Sequence, residues 1–491
     1  MITMKQLFMK KYICYLLLVL TITSCSKFLD KEPYSTATDG GIWRTEDDAN
    51  SAVAACYALL RMALNDGMAY YAYGDMPTDE FSSTYGGGDY AYYYIKNGQW
   101  AQPIPAANTY EPVMKLRRYE NFYRVIDQSN RCIKHIPSIP TDRQQEFLGE
   151  AYFNRAFSYF YMARVWGGVP LVLQAVEDVA TTKNVARATE KEILDQAIAD
   201  VKQAIISLPW TNGVSSDKVV RANKGAAYAL LAHIYAWQGD YAKCAPIADS
   251  VISSGFYGYV NRNNYLSIYD GKSSEGIFEI AQNASNEGAS YNSIAFYTLR
   301  SDKYLSINTG NSYLPLNLTT LSALYSDTTD LRRNSAFAYL SSTDPICIKY
   351  DNITYNGTGN TDPLAFNNII VFRLSDITLL RAEALAATGN YAGARPLLDT
   401  IRTMAGLPHS DADDADLFEN IIDERGRELF LEGHRFYDLV RLAKKTGIVE
   451  FGEDKISATQ FQQGKYYWPL DPVLITANSL LVQTPYWKGK L

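Results

Sequence analysis

Residues 423–442 read DERGRELFLEGHRFYDLVRL, and this stretch carries more structural information than any other part of the chain. With the period of an α-helix, one stripe of it is apolar: Ile422, Leu429, Phe436 and Val440. On the other faces, opposite charges stand three residues apart, a spacing at which helical side chains can form ion pairs. These pairs are Glu424 with Arg427, Glu432 with Arg435, and Asp438 with Arg441. The spacing therefore predicts one amphipathic helix with an apolar packing face and salt-bridged polar faces.

Two segments upstream repeat each other at a separation of 150 residues. The shared positions are Ala232, Ala236, Gly239, Tyr241, Ala242, Pro246 and Asp249, repeated as Ala382, Ala386, Gly389, Tyr391, Ala392, Pro396 and Asp399. This pattern is typical of a tetratricopeptide hairpin, in which small residues let two helices approach and glycine ends the first helix. We predict a mainly α fold with such hairpins near residues 117–166, 190–254, 372–403 and 417–445. Long insertions separate them, so they do not form a continuous array with a period of about 34 residues.

The order E-R-x-x-E-L-x-x-E-G-x-R-x-x-D-L-x-R, read from Glu424 to Arg441, resembles the C-terminal signature of the SusD/RagB family of outer-membrane lipoproteins. The phrase WGGVPL at 166–171 and the closing segment from Tyr466 are similar to that family as well. The resemblance covers essentially the whole mature chain. It implies one SusD-like domain over 41–491, with hairpins as the scaffold and irregular insertions that carry short strands. It also implies a TonB-dependent, SusC-like transporter as the partner.

The N-terminus has the pattern of an export signal. Lysines precede a short apolar run over 12–22, and Cys25 follows small residues as in a lipobox. The run is shorter than the roughly 20 apolar residues of a membrane-spanning helix. We predict a lipoprotein signal peptide over 1–24, acylation of Cys25 and a tether over 25–40. The family resemblance implies that the lipid anchors a surface-exposed protein to the outer membrane. An ordinary signal peptide with an incidental cysteine is the alternative.

Two insertions, 66–116 and 255–368, contain many of the 38 tyrosines of the chain, together with amide and acidic residues. Rigid, amphipathic tyrosines suit exposed recognition surfaces. Because a sugar has an apolar ring face and a rim of hydroxyls, we expect a glycan ligand here. The candidate ligand residues are Trp100, Tyr85, Tyr90, Asn97, Tyr291 and Tyr297.

Within this set, the resemblance to starch-binding relatives makes Trp100 and one of Tyr291 or Tyr297 the leading aromatic platforms. Several tyrosines of the first insertion are instead expected to pack the insertion onto the helices. Residues 90–95 alternate as a strand would, which is the structural interpretation of that segment.

Other functions have little support in the sequence. The chain is acidic, with a net charge of −7 and no basic stripe, which argues against nucleic acid. It has no G-x-S-x-G, H-E-x-x-H, phosphate-loop or dinucleotide motif, so we expect neither catalysis nor a cofactor. It also has no histidines at i, i+4, so we expect no histidine metal site. Loop oxygens of Asp75 or Asp79 could hold a structural calcium ion, although no EF-hand spacing is present.

Two alternatives remain open. One is a peptide-binding or protein-binding tetratricopeptide module that serves the uptake of another nutrient. The other is a glycoside hydrolase, because Asp75, Asp79 and Glu80 lie together beside the aromatic segment.

Overall fold

The computed structural model describes residues 43–85, 90–103, 111–176, 183–282, 293–299, 304–306, 311–356, 359, 362–452 and 455–491. Most of these residues lie in helices or in the turns that join them. In chain order the helices are α1 (Glu46–Asn65), α2 (Ala69–Gly74), α3 (Tyr90–Lys96), α4 (Pro112–Lys115), α5 (Glu120–His135), α6 (Gln144–Trp166), α7 (Glu190–Ser207), α8 (Lys224–Gln238), α9 (Tyr241–Ile252), α10 (Ile294–Thr298), α11 (Leu318–Leu324), α12 (Leu331–Ala336), α13 (Leu374–Ala387), α14 (Tyr391–Met404), α15 (Leu417–Glu428), α16 (Arg435–Thr446), α17 (Ala458–Gln462) and α18 (Pro472–Ala477).

The long helices pack side by side. Helix α1 contacts α5, α5 contacts α6, α6 contacts α7, and α7 contacts α8. The chain enters α1 through a capping box, in which the Thr45 hydroxyl accepts from Asp48 N at 3.2 Å and the Asp48 carboxylate accepts from Thr45 N at 2.8 Å. Helix α6 ends at Gly167, whose φ of 73° turns the chain sharply away. None of the helices in the described part of the chain is both long and apolar enough to cross a membrane.

The two repeated segments form equivalent hairpins, α8–α9 and α13–α14. Each first helix is followed by a left-handed glycine, Gly239 with φ 76° and Gly389 with φ 81°. Each second helix contains a proline in its second turn, Pro246 or Pro396. Helix α9 packs against α13, so the two copies lie in contact. The predicted mainly α fold with tetratricopeptide-like hairpins is confirmed.

Short strands occur in the second insertion and at its end. They are β1 (Gly276–Ile280), β2 (Phe337–Ala338), β3 (Ile346–Cys347), β4 (Ile353–Asn356), β5 (Asp362–Ala365) and β6 (Ile369–Arg373). They form antiparallel pairs β1–β6, β2–β3 and β4–β5. β1 and β6 are buried throughout, and β6 runs directly into α13. The second insertion is thereby fixed to the hairpin scaffold.

The prediction of a single helix over 423–442 is wrong. Helix α15 ends at Glu428 and α16 begins at Arg435. The turn between them contains two left-handed residues, Leu431 with φ 58° and Gly433 with φ 78°. A leucine in this conformation costs free energy, so the turn requires external support.

That support comes from two carboxylates near the start of the first insertion. Asp75 Oδ2 accepts a hydrogen bond from Gly433 N at 2.7 Å, and Glu80 Oε1 accepts one from Leu431 N at 3.2 Å. Helical periodicity in residues 423–442 could not show this, because the partners lie about 350 positions away.

The charged faces are buried, since Glu424, Glu428 and Glu432 are at most 1% exposed. The pairs Glu424 with Arg427 at 3.0 Å and Asp438 with Arg441 at 2.7 Å are confirmed. Glu432 and Arg435 instead bind other partners. Glu432 binds Lys349 at 2.7 Å and Arg373 at 2.8 Å, and Arg435 binds Asp79 at 2.7 Å.

Glu428 is the centre of this buried ionic network. Its Oε1 lies 2.7 Å from both Arg262 and Arg373, and its Oε2 lies 2.9 Å from Arg332. Burial raises the pKa of such carboxyls, but the guanidinium groups lower it by more. Against this burial, Arg332 brings the pKa of Glu424 to about 2 and Arg373 brings that of Glu432 to about 2. The network therefore remains ionised at neutral pH.

The strand expected for residues 90–95 is helix α3 instead. Tyr92 and Ile95, three positions apart, are buried, whereas Tyr93 and Tyr94 are half-buried on the adjoining face. The buried positions thus follow a helical spacing. The sequence did not show this spacing, because tyrosines occupy both buried and half-buried positions.

Candidate functional site

The two insertions meet through their backbones. Phe81 and Leu316 form an isolated antiparallel bridge. Ser82 N donates to Pro315 O at 3.0 Å, and Asn317 N donates to Glu80 O at 2.8 Å. Segments more than 200 residues apart in sequence are therefore held edge to edge.

Aromatic side chains from both insertions cluster beside this junction. We call the following half-buried or exposed residues the aromatic surface: Tyr85, Tyr93, Tyr94, Phe296, Tyr297 and Tyr313. The ring of Tyr85, which is 53% exposed, lies 6.0 Å from that of Tyr93. The ring of Tyr313 lies 5.6 Å from Phe296 and 5.9 Å from Tyr297.

The buried Tyr92 of the first insertion packs against Tyr297 of the second. It is 1% exposed, and its ring lies 4.8 Å from that of Tyr297 with the planes 76° apart. Edge-to-face contacts of this kind are favourable beyond the area that they bury. α3 of the first insertion and α10 of the second are therefore in direct contact through these two rings.

Polar groups lie among the rings. Asn97 Nδ2 donates to Tyr93 O at 2.9 Å and to Ser83 O at 3.3 Å. Its Oδ1 accepts no hydrogen bond from any residue within the described ranges, and the side chain is half-buried. Of the predicted candidates, Tyr85 and Asn97 both lie beside Tyr93, and Tyr297 packs on the neighbouring Tyr92. The amide oxygen of Asn97 is available to a hydroxyl ligand.

The leading candidate Trp100 is not at this surface, and its assignment as a ligand platform is corrected. Trp100 is 0% exposed, and its indole stacks on Trp468 with centroids 4.6 Å apart and planes 9° apart. Its Nε1 donates to Ile95 O at 3.0 Å. Both ring faces and the polar group are engaged within the core, so Trp100 supports the insertion from inside.

Three other predicted residues cannot be placed. Cys25 and Tyr291 lie outside the described residues, and for Tyr90 only the backbone, in α3, is described. Sequence reasoning did not single out Tyr93, Tyr94, Phe296 and Tyr313. The helical spacing of residues 90–95, with Tyr92 and Ile95 on the buried face, identifies Tyr93 and Tyr94 as residues of the adjoining, more accessible face.

The carboxylates considered for hydrolysis have structural partners. The Asp79 carboxylate accepts two hydrogen bonds from Arg435, at 2.9 and 2.7 Å. Asp75 and Glu80 accept from the turn between α15 and α16, and burial raises the pKa of both. A calcium ion at Asp79 would have to displace the guanidinium of Arg435.

Three side chains elsewhere in the described part of the chain could in principle ligate a metal ion. The ligand atoms of His233, Asp376 and His434 lie within 4.8 Å of one another. The Asp376 carboxylate is already used, with Oδ2 2.8 Å from His233 Nε2 and Oδ1 2.9 Å from Arg425 Nη2. Burial lowers the pKa of His434 to about 4. With a guanidinium already neutralising the carboxylate, these residues fit a buried polar centre better than a cation site.

In this fold, helical hairpins form the scaffold and inserted segments carry an aromatic, polar surface. This arrangement defines a class of binding proteins. Comparison with known sequences places this chain within that class. Residues 253–487 match the model described as the SusD family, and residues 27–236 match the model described as starch-binding associating with outer membrane. The chain belongs to the SusD family, which is a family of binding proteins associated with the outer membrane.

Several relatives match over nearly their whole length. SusD-like protein P38 from Formosa agariphila is 27% identical, over 94% of this chain and 97% of the relative. The crystal structure of a SusD homologue from Bacteroides thetaiotaomicron is 26% identical with a TM-score of 0.79, over 90% of this chain and 99% of its own. A laminarin-binding SusD-like protein shares the fold, with 24% identity and a TM-score of 0.73 over 90% of this chain and 100% of its own.

Proposed function

We propose that this protein is a cell-surface lipoprotein that binds an oligosaccharide or polysaccharide on the aromatic surface and delivers it to a SusC-like TonB-dependent transporter. The observation that carries this proposal is the meeting of the two insertions, in which Tyr92 of one packs against Tyr297 of the other at 4.8 Å. A ligand that contacts both insertions can meet aromatic rings at more than one of its sugar units.

The chemistry of the surface suits a sugar. Ring faces of tyrosines offer apolar contact to the face of a pyranose, and their hydroxyls accept and donate at its rim. The open position at Asn97 Oδ1 adds an acceptor for a sugar hydroxyl. Tyrosine contributes such contacts at a low cost in conformational entropy because it has few rotatable bonds.

The relatives support a glycan as the ligand. One protein of the same fold binds laminarin, and the model that matches residues 27–236 is named for starch binding. Binding without catalysis is part of the proposal, because the carboxylates considered for hydrolysis are held by Arg435 and by the backbone of the turn after α15. Ligand would then leave the surface chemically unchanged.

Lipid anchoring at Cys25 and contact with the transporter complete the proposal. Cys25→Ser should move the protein from the outer-membrane fraction to the soluble fraction of fractionated cells. The wild-type protein, solubilised from outer membranes in mild detergent, should purify together with a TonB-dependent transporter.

A glycan array tests the binding step. The purified mature chain should bind one class of glycan, and a Tyr85→Ala/Tyr93→Ala variant should lose that signal while retaining its melting temperature. Phe256→Ala is the matched control, because Phe256 is also an exposed aromatic residue, 50% accessible, outside the aromatic surface. A wild-type chain that bound no glycan, or a double variant that bound as well as wild type, would count against the proposal.

A further inference from the structure

A cavity of about 710 Å³ opens between α7, the α8–α9 hairpin and α16. Its volume lies within the range of roughly 300–1,000 Å³ that is typical of small-ligand sites. It shares no residue with the aromatic surface. Trp237, at the end of α8, forms part of its wall and is 3% exposed.

Basic residues outnumber acidic ones in this lining, although the whole chain has a net charge of −7. The basic residues are Lys191, Lys243, Arg441, Lys444 and Lys445. The acidic residues are Glu190, Asp195 and Asp240. We call this space the basic cavity.

Two of the acidic residues already bind basic neighbours at the rim. Asp195 lies 2.6 Å from Lys191, and Asp240 lies 2.5 Å from Lys243. The third, Glu190, accepts from Trp237 Nε1 at 2.7 Å and through its other oxygen from a tyrosine hydroxyl at 2.8 Å. The carboxylates of the lining therefore have partners of their own.

Lys444 contacts aromatic rings, and the carboxylate of Glu190 attracts its charge from farther away. Its ammonium nitrogen lies 4.0 Å from the ring centroid of Trp237 and 5.2 Å from that of Tyr466. Across the described ranges of the chain, no carboxylate oxygen lies within 4.0 Å of this nitrogen, and the side chain is exposed. A cation that is held over an aromatic ring and forms no close ion pair can bind an anionic group without first breaking one.

We propose that the basic cavity binds the carboxylate of a small acidic ligand, with the Lys444 ammonium as its main counter-charge. Trp237 holds the Lys444 ammonium over its ring, and Lys445 raises the positive potential at the rim. A uronic acid unit of an oligosaccharide and the C-terminal carboxylate of a peptide share this chemistry. The site is separate from the aromatic surface and does not depend on the proposed glycan site.

Calorimetric titration of the mature chain tests this site with two matched pairs of probes. One pair is tetragalacturonic acid and its neutral methyl ester, and the other is a tripeptide with a free C-terminus and the same peptide as its amide. At least one acid form should bind at least tenfold more tightly than its neutral counterpart, and raising the salt concentration should weaken that binding.

Three variants connect the binding to Lys444. Lys444→Met, which keeps an apolar stem over Trp237, should weaken binding of the acid form at least tenfold, and Lys444→Arg should retain it. Lys202→Met, an exposed position on α7 outside the basic cavity, should leave it unchanged. Binding of one acid probe alone would support the site and identify its ligand class. Equal affinity for acid and neutral probes, no binding of either acid, or unchanged binding in Lys444→Met would overturn the proposal.

Discussion

Arg373 Nη1 lies 2.7 Å from Glu428 Oε1, and Nη2 of the same guanidinium donates to the backbone carbonyl of Glu428 at 2.7 Å. Arg373 ends β6 and precedes α13, the first helix of the second hairpin copy. Glu428 ends α15. This one residue pair therefore connects the second insertion, the repeated hairpin and the family signature, which explains why charged residues of the signature are buried.

Removing the central carboxylate should destabilise the fold strongly. Glu428→Gln leaves Arg262, Arg332 and Arg373 without their shared counter-charge in the core. Breaking a buried ion pair in this way typically costs roughly 3–5 kcal/mol. Urea denaturation of the purified chain measures the loss in free energy of unfolding.

Asp195→Asn is the control for that experiment. Asp195 forms its ion pair with Lys191 at the surface, where the two side chains are 52% and 79% exposed. Exposed pairs contribute up to about 1 kcal/mol. Similar losses in the two variants would show that the buried network does not hold the fold together.

Stability should fall in acid, over a pH range that the buried groups define. The pKa of His434 is lowered from 6.5 to about 4, and those of Glu424 and Glu432 are lowered from 4.5 to about 2. For each group the unfolded chain binds a proton at a higher pH than the folded chain does, so stability decreases as pH falls. The His434 contribution should be lost between pH 6.5 and 4, and the carboxylate contributions between pH 4.5 and 2.

Melting temperatures at intervals from pH 7 to 3 provide the measurement. The His434→Gln variant should show a smaller decrease between pH 6.5 and 4 than the wild-type chain. A melting temperature that stayed constant down to pH 3 would contradict the assignment of ionised, buried carboxylates.

Gly433 should tolerate no side chain. It has a φ of 78°, and an added Cβ would lie 2.3 Å from the ring of Tyr70. Gly447 has a similar φ of 83° but no heavy atom within 4 Å of an added Cβ. Gly447→Ala should therefore cost only the roughly 1–2 kcal/mol of a left-handed alanine, and Gly433→Ala should cost clearly more. Equal losses by thermal denaturation would mean that the close approach to Tyr70 can relax.

The hairpins could be predicted from the sequence because their signals are local. Small residues, glycine and tyrosine at fixed spacing around Gly239 and Gly389 specify a helix, a turn and a second helix within about 30 residues. The position of the break after Glu428 could not be predicted, because the left-handed Leu431 depends on a hydrogen bond to Glu80, from a distant part of the chain.

Long-range packing also explains what was missed at the candidate site. Trp100 lies in a tyrosine-rich segment of exposed character, yet it stacks on Trp468 from the C-terminal region. Composition could locate the two insertions but could not show which rings face solvent. Spacing within α3 contained that information for Tyr92 and Tyr93.

Trp100→Ala should act on stability and leave ligand affinity intact. Truncating a fully buried tryptophan typically costs about 3–5 kcal/mol, and the stack on Trp468 would be lost with it. Chemical denaturation should show this loss, while the fraction that remains folded at low temperature should bind glycan with unchanged affinity. Full stability combined with lost binding would restore Trp100 as a ligand platform.

One ligand should contact both insertions at the aromatic surface. The most direct measurement is the calorimetric affinity of Tyr85→Ala and Tyr313→Ala, one variant from each insertion, for the longest oligosaccharide that the wild-type chain binds. Each substitution should weaken binding at least tenfold, with Phe256→Ala unchanged. Wild-type affinity in either variant would contradict a surface shared by the two insertions.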